Sequence, residues 1–407
     1  MKILHLFSDW KWTGPAEPAL NLCTELKKRG HDVTLACGKA MDDYPFPPDS
    51  ESVEKYAYER DLVPVTRFNL SKHFSFFKYI SDIKNLSVFM NDEVFDIVHV
   101  HRNQDHLVGG IAARRTGRHL PVVRTNHDGV VLRKTLRNKI CLTRLTDKLI
   151  AVSEKARVAD MDRFGLSEDK TTMINASIDC QRFNPGSGPL THRKMFGMKD
   201  DDIVVGIIAR IQTHRRFHIL LQAIKIASKE VPRLKLLVIG RGTKEKQLLT
   251  NPAKAMGLED IVIHPGYRTS DYVEAVSCMD FNIFLMPGTD GSCRAVREVM
   301  AMGKPVIAAD RGMLSSIVDD KVTGFVVDDT AENLATATVK LANDIELRKK
   351  MADASLKKAQ DVYSQESMAE KVEKVYEGLL KKEPHTEDTK KNLKNIRKII
   401  QRKIKWK

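Results

Sequence analysis

Apolar residues in the first part of the chain fall in short blocks separated by amphipathic or polar stretches, the signature of strands alternating with helices. KILHLF (2–7) predicts a buried strand, and the stretch from Pro15 or Ala16 to Lys28 a helix. RGHDVTLAC then turns at Gly30 into a second strand. Residues 42–60 contain three prolines and no clear period, which predicts a loop leading into a weak helix. FDIVHVH (95–101), PVVRTNHDG (121–129) and DKLIAVS (147–153) predict further strands, with a small-residue helix at LVGGIAARRTG. NASIDCQRFNPG (175–186) closes this series, and SGPLTHRKMFGMKDDD (187–202) predicts a linker with a short helix.

A second series follows. IVVGIIAR and LKLLVIG predict strands, and HILLQAIKIASKEV and KEKQLLTNPAKAMG predict helices. IVIHPG, FNIFLM, PVIAA and TGFVV predict short strands with helices between them. Strands that are apolar along their whole length are buried on both faces, and helices alternating with them imply parallel sheets. The expected fold is α/β, with two doubly wound, Rossmann-like domains at 1–186 and 187–360 facing each other across a cleft. A C-terminal helix at 361–382 is expected to return toward the first domain, followed by a basic amphipathic tail at 383–407.

Composition narrows the class. The 407 residues are 42% hydrophobic and 29% charged, and no apolar run approaches the roughly 18 residues a spanning helix needs. The first residues lack the apolar stretch and cleavage site of a signal peptide and read as a first strand. Six scattered cysteines form no CxxC pair, so free thiols and a reducing cytoplasm are expected. The formal charge is +14, but residues 381–407 hold eleven Lys or Arg and only three Asp or Glu. The basicity is largely terminal, so no nucleic-acid partner is expected.

Ligands of such sheets bind beyond the carboxyl ends of strands. No GxGxxG or GxxxxGK[ST] occurs, and GRG (240–242) alone is too short to be informative. Three strand-end features stand out. IIARIQTHRRFHILLQA (207–223) places Arg210 at a strand end and Arg215 and Arg216 before a helix, a fixed positive charge suited to a diphosphate. TDGSCRAVREVMAMGKPVIAADRGM (289–313) places Asp290 and Glu298 eight residues apart around a helix start, with Ser292 as the expected N-cap. Two carboxylates about 12 Å apart on a helix can hold hydroxyls at both ends of a nucleotide sugar, or be ordinary surface acids. Arg294 and Arg297 beside them read as a solvated face. Third, His127 follows a buried strand, where a structural role is also open, and His99 and His101 share one strand face.

The ordered set resembles the retaining GT-B glycosyltransferases of family 4 (glycosyl transferases group 1) across roughly residues 1–380. The pieces that carry it are RGHDV, DIVHVH, VVRTNHD, LIAVSE and NASIDCQRFNP, then the Arg210 strand end, acid-x7-Glu followed by VMAMGKPVIAA, and VTGFVV. The resemblance implies sugar transfer from a nucleoside diphosphate donor with retention of configuration. It implies that Arg210 and Arg215 neutralise the departing diphosphate and that Glu298 holds the donor ribose. Asp290, where the family has Glu, would hold sugar hydroxyls, with Gly291, Ser292 and Cys293 at the helix start beside the phosphates. His127 matches a histidine near the transferred sugar, and Gly14 part of a glycine-rich loop. The chain departs from the family at Asp290, at Arg216 where Gly is usual, at Pro15 after Gly14, and at GMLSS (312–316).

No cofactor or metal is expected. Asp160-x-Asp162 is predicted helical, and Asp200-x-Asp202 lies in the linker. The expected acceptor is a lipid-linked or cell-envelope glycan. TKKNLKNIRKIIQRKIKWK (389–407) reads either as an amphipathic helix on an anionic membrane or as a solvated end. Trp10 and Trp12 are open to stacking on an acceptor sugar or to packing. The alternatives to a transferase are a sugar epimerase or phosphorylase of the same fold, and a degenerate binding or scaffold subunit.

Overall fold

The computed structural model describes residues 1–38, 51–73, 75–187, 191–287 and 293–381. Two compact units divide the chain: Met1–Ala176 together with the segment from Met368 onward, and Ser177–Ser367. The predicted boundary at 186 thus falls ten residues late. Ile178 and Phe183 are buried in the second unit's core, and the Ile178 amide donates to the Tyr363 carbonyl at 2.8 Å.

The first unit is built on a six-stranded parallel sheet of β1 (Lys2–Phe7), β2 (Asp32–Cys37), β3 (Ile97–Val100), β4 (Val122–Asn126), β5 (Lys148–Ala151) and β6 (Thr171–Met173). Its order is β2-β1-β3-β4-β5-β6, so the chain leaves β1 in one direction and resumes on its other side at β3. Side chains alternate across the sheet as strand geometry requires. Leu4, Leu6, Val98, Val100 and Val122 meet the helices Phe76–Asp92 and Asn103–Arg115 on one face. Ile3, Ile97, Val123 and Ile150 meet Leu22 and Leu26 of the helix Ala16–Lys28 on the other. That second face is completed by Met368, Ala369, Val372 and Tyr376 of the C-terminal helix Gln365–Leu380.

The strand Thr171–Met173 and the helix Phe76–Asp92 are absent from the sequence prediction. The strand Thr171–Met173 is three residues long and carries two threonines, too little apolar pattern to read. The helix Phe76–Asp92 buries Tyr79, Leu86, Phe89 and Met90 but exposes Phe76, Phe77 and Ile80, which blurs its stripe.

The second unit repeats the plan with β7 (Ile203–Ile208), β8 (Leu234–Ile239), β9 (Val262–Gly266), β10 (Phe281–Phe284), β11 (Val306–Ala309) and β12 (Gly324–Val327). The order is β12-β11-β10-β7-β8-β9, all parallel. The reversal falls between β7 and β10. One face packs on the amphipathic helix Phe217–Glu230 and the helix Ala331–Asn343; the other packs on the helices Tyr272–Ser277 and Arg294–Ala301. Each strand predicted in this half is present. All six cysteines are free, and among the described residues no helix is long and apolar enough to cross a membrane.

Candidate active site

In a doubly wound sheet the crevice at the strand-order reversal collects ligands, because the two connections leave it in opposite directions. Each unit has one reversal, and the predicted site residues that can be described gather at these two places. In the second unit a cavity of about 260 Å3 opens at the ends of β7 and β10. It is lined by Ala209, Arg210 and Arg215, by Met286, and by Cys293 and Arg294 at the start of the helix Arg294–Ala301. Asp290, Gly291 and Ser292 lie outside the described residues.

The cations here differ in kind. Arg210 is exposed and, among the described residues, has no ion-pair or hydrogen-bond partner. Arg215 is buried, and its Nη1 donates to the carbonyls of Met286 (3.1 Å) and Pro287 (2.7 Å), tying the end of β7 to the end of β10. Arg216 adopts a left-handed conformation (φ 59°), which explains why glycine suits this position. Its Nε lies 2.9 Å from a carboxylate oxygen of Asp329.

Glu298 is 3% exposed. Tyr272 donates its hydroxyl to Oε2 at 2.8 Å, and Arg294 donates Nε to Oε1 at 2.5 Å. A carboxylate has about four acceptor positions, so capacity for a further donor remains. Burial and the adjacent Glu298 charge push the Tyr272 phenol well above its ordinary range, which keeps it a donor.

Two expectations are corrected here. The helix is capped by Cys293 in a left-handed conformation (φ 48°), one residue after Ser292. Arg297 is not on a solvated face: it is 1% exposed with its guanidinium 5.0 Å from the centre of the Tyr363 ring, while Arg294, partly exposed, holds Glu298. The i,i+4 spacing of Arg294 and Glu298 was a readable signal for their pairing.

The segment GRG, uninformative in the sequence, also shapes this site. A Cβ on Gly240 would sit 2.0 Å from the Ala209 carbonyl oxygen, and one on Gly242 2.0 Å from that of Ile211. The Ile211 amide donates to the Arg241 carbonyl at 3.0 Å. The backbone carrying Arg210 therefore lies directly on these two glycines. Gly-x-Gly immediately after a strand was the signal.

In the first unit the reversal lies between β1 and β3, and imidazoles fill it. His5 of β1 is the register partner of His99 of β3, and the His99 and His101 rings stack at 4.5 Å. His5 Nδ1 is 2.9 Å from His101 Nε2, and His101 Nδ1 is 3.0 Å from His127 Nε2. His99 is held separately, by Tyr376 Oη at 2.6 Å and Thr125 Oγ1 at 2.7 Å. Nitrogens of His5, His99 and His101 lie within 4.8 Å of one another, yet these hydrogen bonds already occupy both nitrogens of His99.

Burial holds the His5 and His127 rings down to about 3, and for His127 the nearby Arg124 and Arg102 guanidiniums add to the effect. Both are neutral at ordinary pH. Asp105, buried below the cluster, accepts from the Ser8 and Arg102 amides at 2.9 and 2.8 Å; burial raises it to about 6 against the pull of Arg124.

Gly14 is exposed in the loop after β1, and a Cβ there would meet nothing within 4 Å. Trp12 in that loop packs on Tyr56, with ring centres 4.1 Å apart. Asp9, buried in the same loop, pairs with Arg102 at 3.4 Å. Asp160 lies on the helix Glu154–Phe164 and accepts from the Leu132 amide, and Asp202 accepts from the Lys199 amide. Neither DxD segment is organised as a pair.

Comparison with known proteins agrees with this architecture. Residues 190–358 match the family model described as Glycosyl transferases group 1, and residues 13–182 match that described as Glycosyltransferase Family 4. A D-inositol 3-phosphate glycosyltransferase of Streptomyces scabiei is 26% identical over 259 residues, 57% of this chain and 56% of that protein. The chain thus spans little more than half the length of such relatives. A UDP-Gal:alpha-D-GlcNAc-diphosphoundecaprenol alpha-1,3-galactosyltransferase of Escherichia coli is 23% identical over 362 residues, 84% of this chain and 88% of that one. The crystal structure of Anabaena Alr3699/HepE in complex with UDP superposes with a TM-score of 0.72 at 18% identity, covering 93% of this chain and all of that one. Two matched halves, two parallel six-stranded sheets and the same fold in a solved relative place this chain in the family-4, group 1 glycosyltransferases of GT-B fold.

Proposed function

We propose that this protein transfers a sugar from a nucleoside diphosphate sugar to an acceptor hydroxyl, with retention of configuration. The observation that carries this reading is Arg210. It is an exposed guanidinium at the strand-order reversal of the second unit, lining a cavity beside a helix start. Such a charge meets an anion that grows as the bond to the sugar breaks. In the transfer, the bond from the anomeric carbon to the diphosphate breaks and one to the acceptor oxygen forms on the same face. The acceptor's proton passes to the departing diphosphate.

Arg210 and Arg215 neutralise the leaving group, with the helix start at Cys293 beside it; Gly291 and Ser292, assigned to the same phosphates, lie outside the described residues. Glu298 binds the ribose, and Asp290 and His127 hold sugar hydroxyls. Gly14 leaves open space in its loop. No metal takes part, because guanidinium and helix N–H groups meet the charge. The HepE structure is a complex with UDP, and the Escherichia coli relative's name contains UDP-Gal, which supports a nucleotide sugar as donor.

The acceptor is a lipid-linked or envelope glycan reached from an anionic membrane surface on the cytoplasmic side. The diphosphoundecaprenol in the Escherichia coli relative's name supports this. So does the helix Phe76–Asp92, which exposes Phe76 (44%), Phe77 (83%) and Ile80 (52%) beside Lys78 and Lys84. The tail 390–407, the other candidate membrane contact, lies outside the described residues.

A binding subunit without turnover is the rival reading, and one observation favours it: both Glu298 oxygens already have protein partners. A thermal-shift screen of UDP-, GDP- and ADP-sugars, followed by nucleoside diphosphate release with and without chelator, separates these. Stabilisation with chelator-insensitive release supports transfer. Stabilisation without release under any acceptor supports the binding subunit. Release that requires added magnesium or manganese contradicts the metal-free account.

A further inference from the structure

The first unit contains a chain of three imidazoles that runs from the closed interior of the sheet to the end of β4. His5 is fully buried, His101 is 2% exposed, and His127 is half-buried. Contacts at 2.9 and 3.0 Å link Nδ1 of each ring to Nε2 of the next. A neutral imidazole carries one proton, so the chain has only two self-consistent polarities. In one, each Nδ1–H donates outward, and His5 Nε2 is left as a bare lone pair. In the other, each Nε2–H donates inward, and His5 Nε2 carries a buried N–H.

His5 Nε2 is buried without a hydrogen-bond partner, and this decides between the two. An orphaned N–H is rarer in folded proteins than an under-used acceptor. The outward polarity leaves only the cheaper defect. Nothing around these rings among the described residues reverses it. Among the described residues, the charged groups about them include Arg124 and Arg102 with Asp105, Asp9 and Asp128, and Lys72 beside Asp9, while Tyr376 on the helix Gln365–Leu380 is committed to His99. Burial opposes an added proton on each ring, helped at His101 by Arg124 and at His127 by Arg124 and Arg102, so all three stay neutral.

We propose that His101 is a positioning residue that, with His5 behind it, fixes His127 as the neutral tautomer protonated on Nδ1, making its free edge a hydrogen-bond donor. His127 is then neither a general base nor a cation. It offers one N–H to an oxygen, which for the reading above is a hydroxyl of the bound sugar. That ligand rests on the proposed function; the tautomer does not. The side chain of free histidine favours the opposite tautomer, so the assignment is distinctive.

The test uses full-length protein with 15N-labelled histidine rings, whose two-bond nitrogen–proton correlations report the protonated nitrogen. The His127 signal is identified by its loss in His127→Gln. The wild-type ring is expected as Nδ1–H. His101→Leu removes the partner, and His127 is expected to revert to Nε2–H. With it, kcat should fall by about ten-fold, the size seen when a partner orienting a functional histidine is lost. His101→Asn, whose amide N–H replaces Nδ1–H, should keep both tautomer and kcat, which separates positioning from a folding defect. An Nε2–H ring in the wild type overturns the proposal, as does His101→Leu with the tautomer or kcat unchanged. Should no nucleotide sugar turn over, the function proposed above fails while the spectrum still decides the tautomer.

Discussion

Glu298 shows most clearly how single residues carry the account. It is a buried carboxylate held by one phenol and one guanidinium, on the helix that opens the second unit's cavity. Its remaining acceptor positions are what the proposal assigns to the donor ribose. Glu298→Gln is predicted to weaken nucleotide-sugar affinity by about 1.5–3 kcal/mol, the worth of a hydrogen bond to a charged group. Calorimetry on a folded variant with unchanged affinity removes Glu298 from the site. Residue type and spacing in the sequence point to Arg210, Arg215, Glu298 and His127. What they do not show is partnership. Tyr272 is 26 positions from Glu298 in sequence, and His5 is 96 from His101, and no local pattern encodes such contacts. Arg297 reads as a surface residue for a related reason: the side chain that receives it, Tyr363, lies far along the chain.

At the scale of elements, strand ends and the backbone beneath them decide where charge sits. Gly240 and Gly242 let the end of β8 lie against the segment carrying Arg210. Gly240→Ala is predicted to destabilise the protein by about 1–3 kcal/mol, as overpacking does, and to lower donor affinity by displacing Arg210. Denaturant unfolding and calorimetry read the two effects, and an unaffected affinity would show that Arg210 is positioned otherwise. The apolar strands of both sheets were legible because their burial is written in consecutive residues. The strand Thr171–Met173 was not, since its place is set by pairing with β5 rather than by its own composition.

The histidine-rich face of the first sheet gives a second prediction at this scale. Burial holds His5, His99, His101 and His127 well below their ordinary 6.5, His5 and His127 to about 3, and likewise His106 on the helix Asn103–Arg115. As pH falls below 6.5 the unfolded chain takes up these protons and the folded chain does not. Stability must therefore drop, by up to about 1.4 kcal/mol per pH unit for each ring. Asp105 opposes this between about 6 and 3.8, because its folded-state value is raised. Asp160, also raised by burial, acts the same way, and two acids against five histidines leave a net loss. The urea midpoint is predicted to fall from pH 7 to pH 5, and a midpoint that holds or rises contradicts the neutral cluster.

For the whole molecule, charge and apolar exposure bear on location. The net charge of +14 is concentrated near the C-terminus, with nine basic and no acidic residues in 390–407. The helix Phe76–Asp92 adds exposed aromatic side chains beside lysines. Each basic residue near an anionic bilayer contributes up to about 1 kcal/mol, screened within a Debye length. The full chain is predicted to sediment with anionic vesicles at low salt and not with neutral ones. Phe77→Asp and truncation after Lys382 should each weaken sedimentation, and a soluble acceptor analogue should still be glycosylated by the truncated form. Equal sedimentation of all three forms, or none by any, contradicts a membrane surface.

The claim on which the rest depends is that the second unit's cavity holds the diphosphate of a nucleotide sugar against Arg210. Isothermal titration of the full chain with UDP, GDP and ADP tests it directly. One of the three is predicted to bind at one site per chain, with Arg210→Ala weakening it by about 1.5–3 kcal/mol, the loss of a charge-assisted hydrogen bond. Absence of binding by all three, or equal affinity in the folded Arg210→Ala variant, would contradict the account.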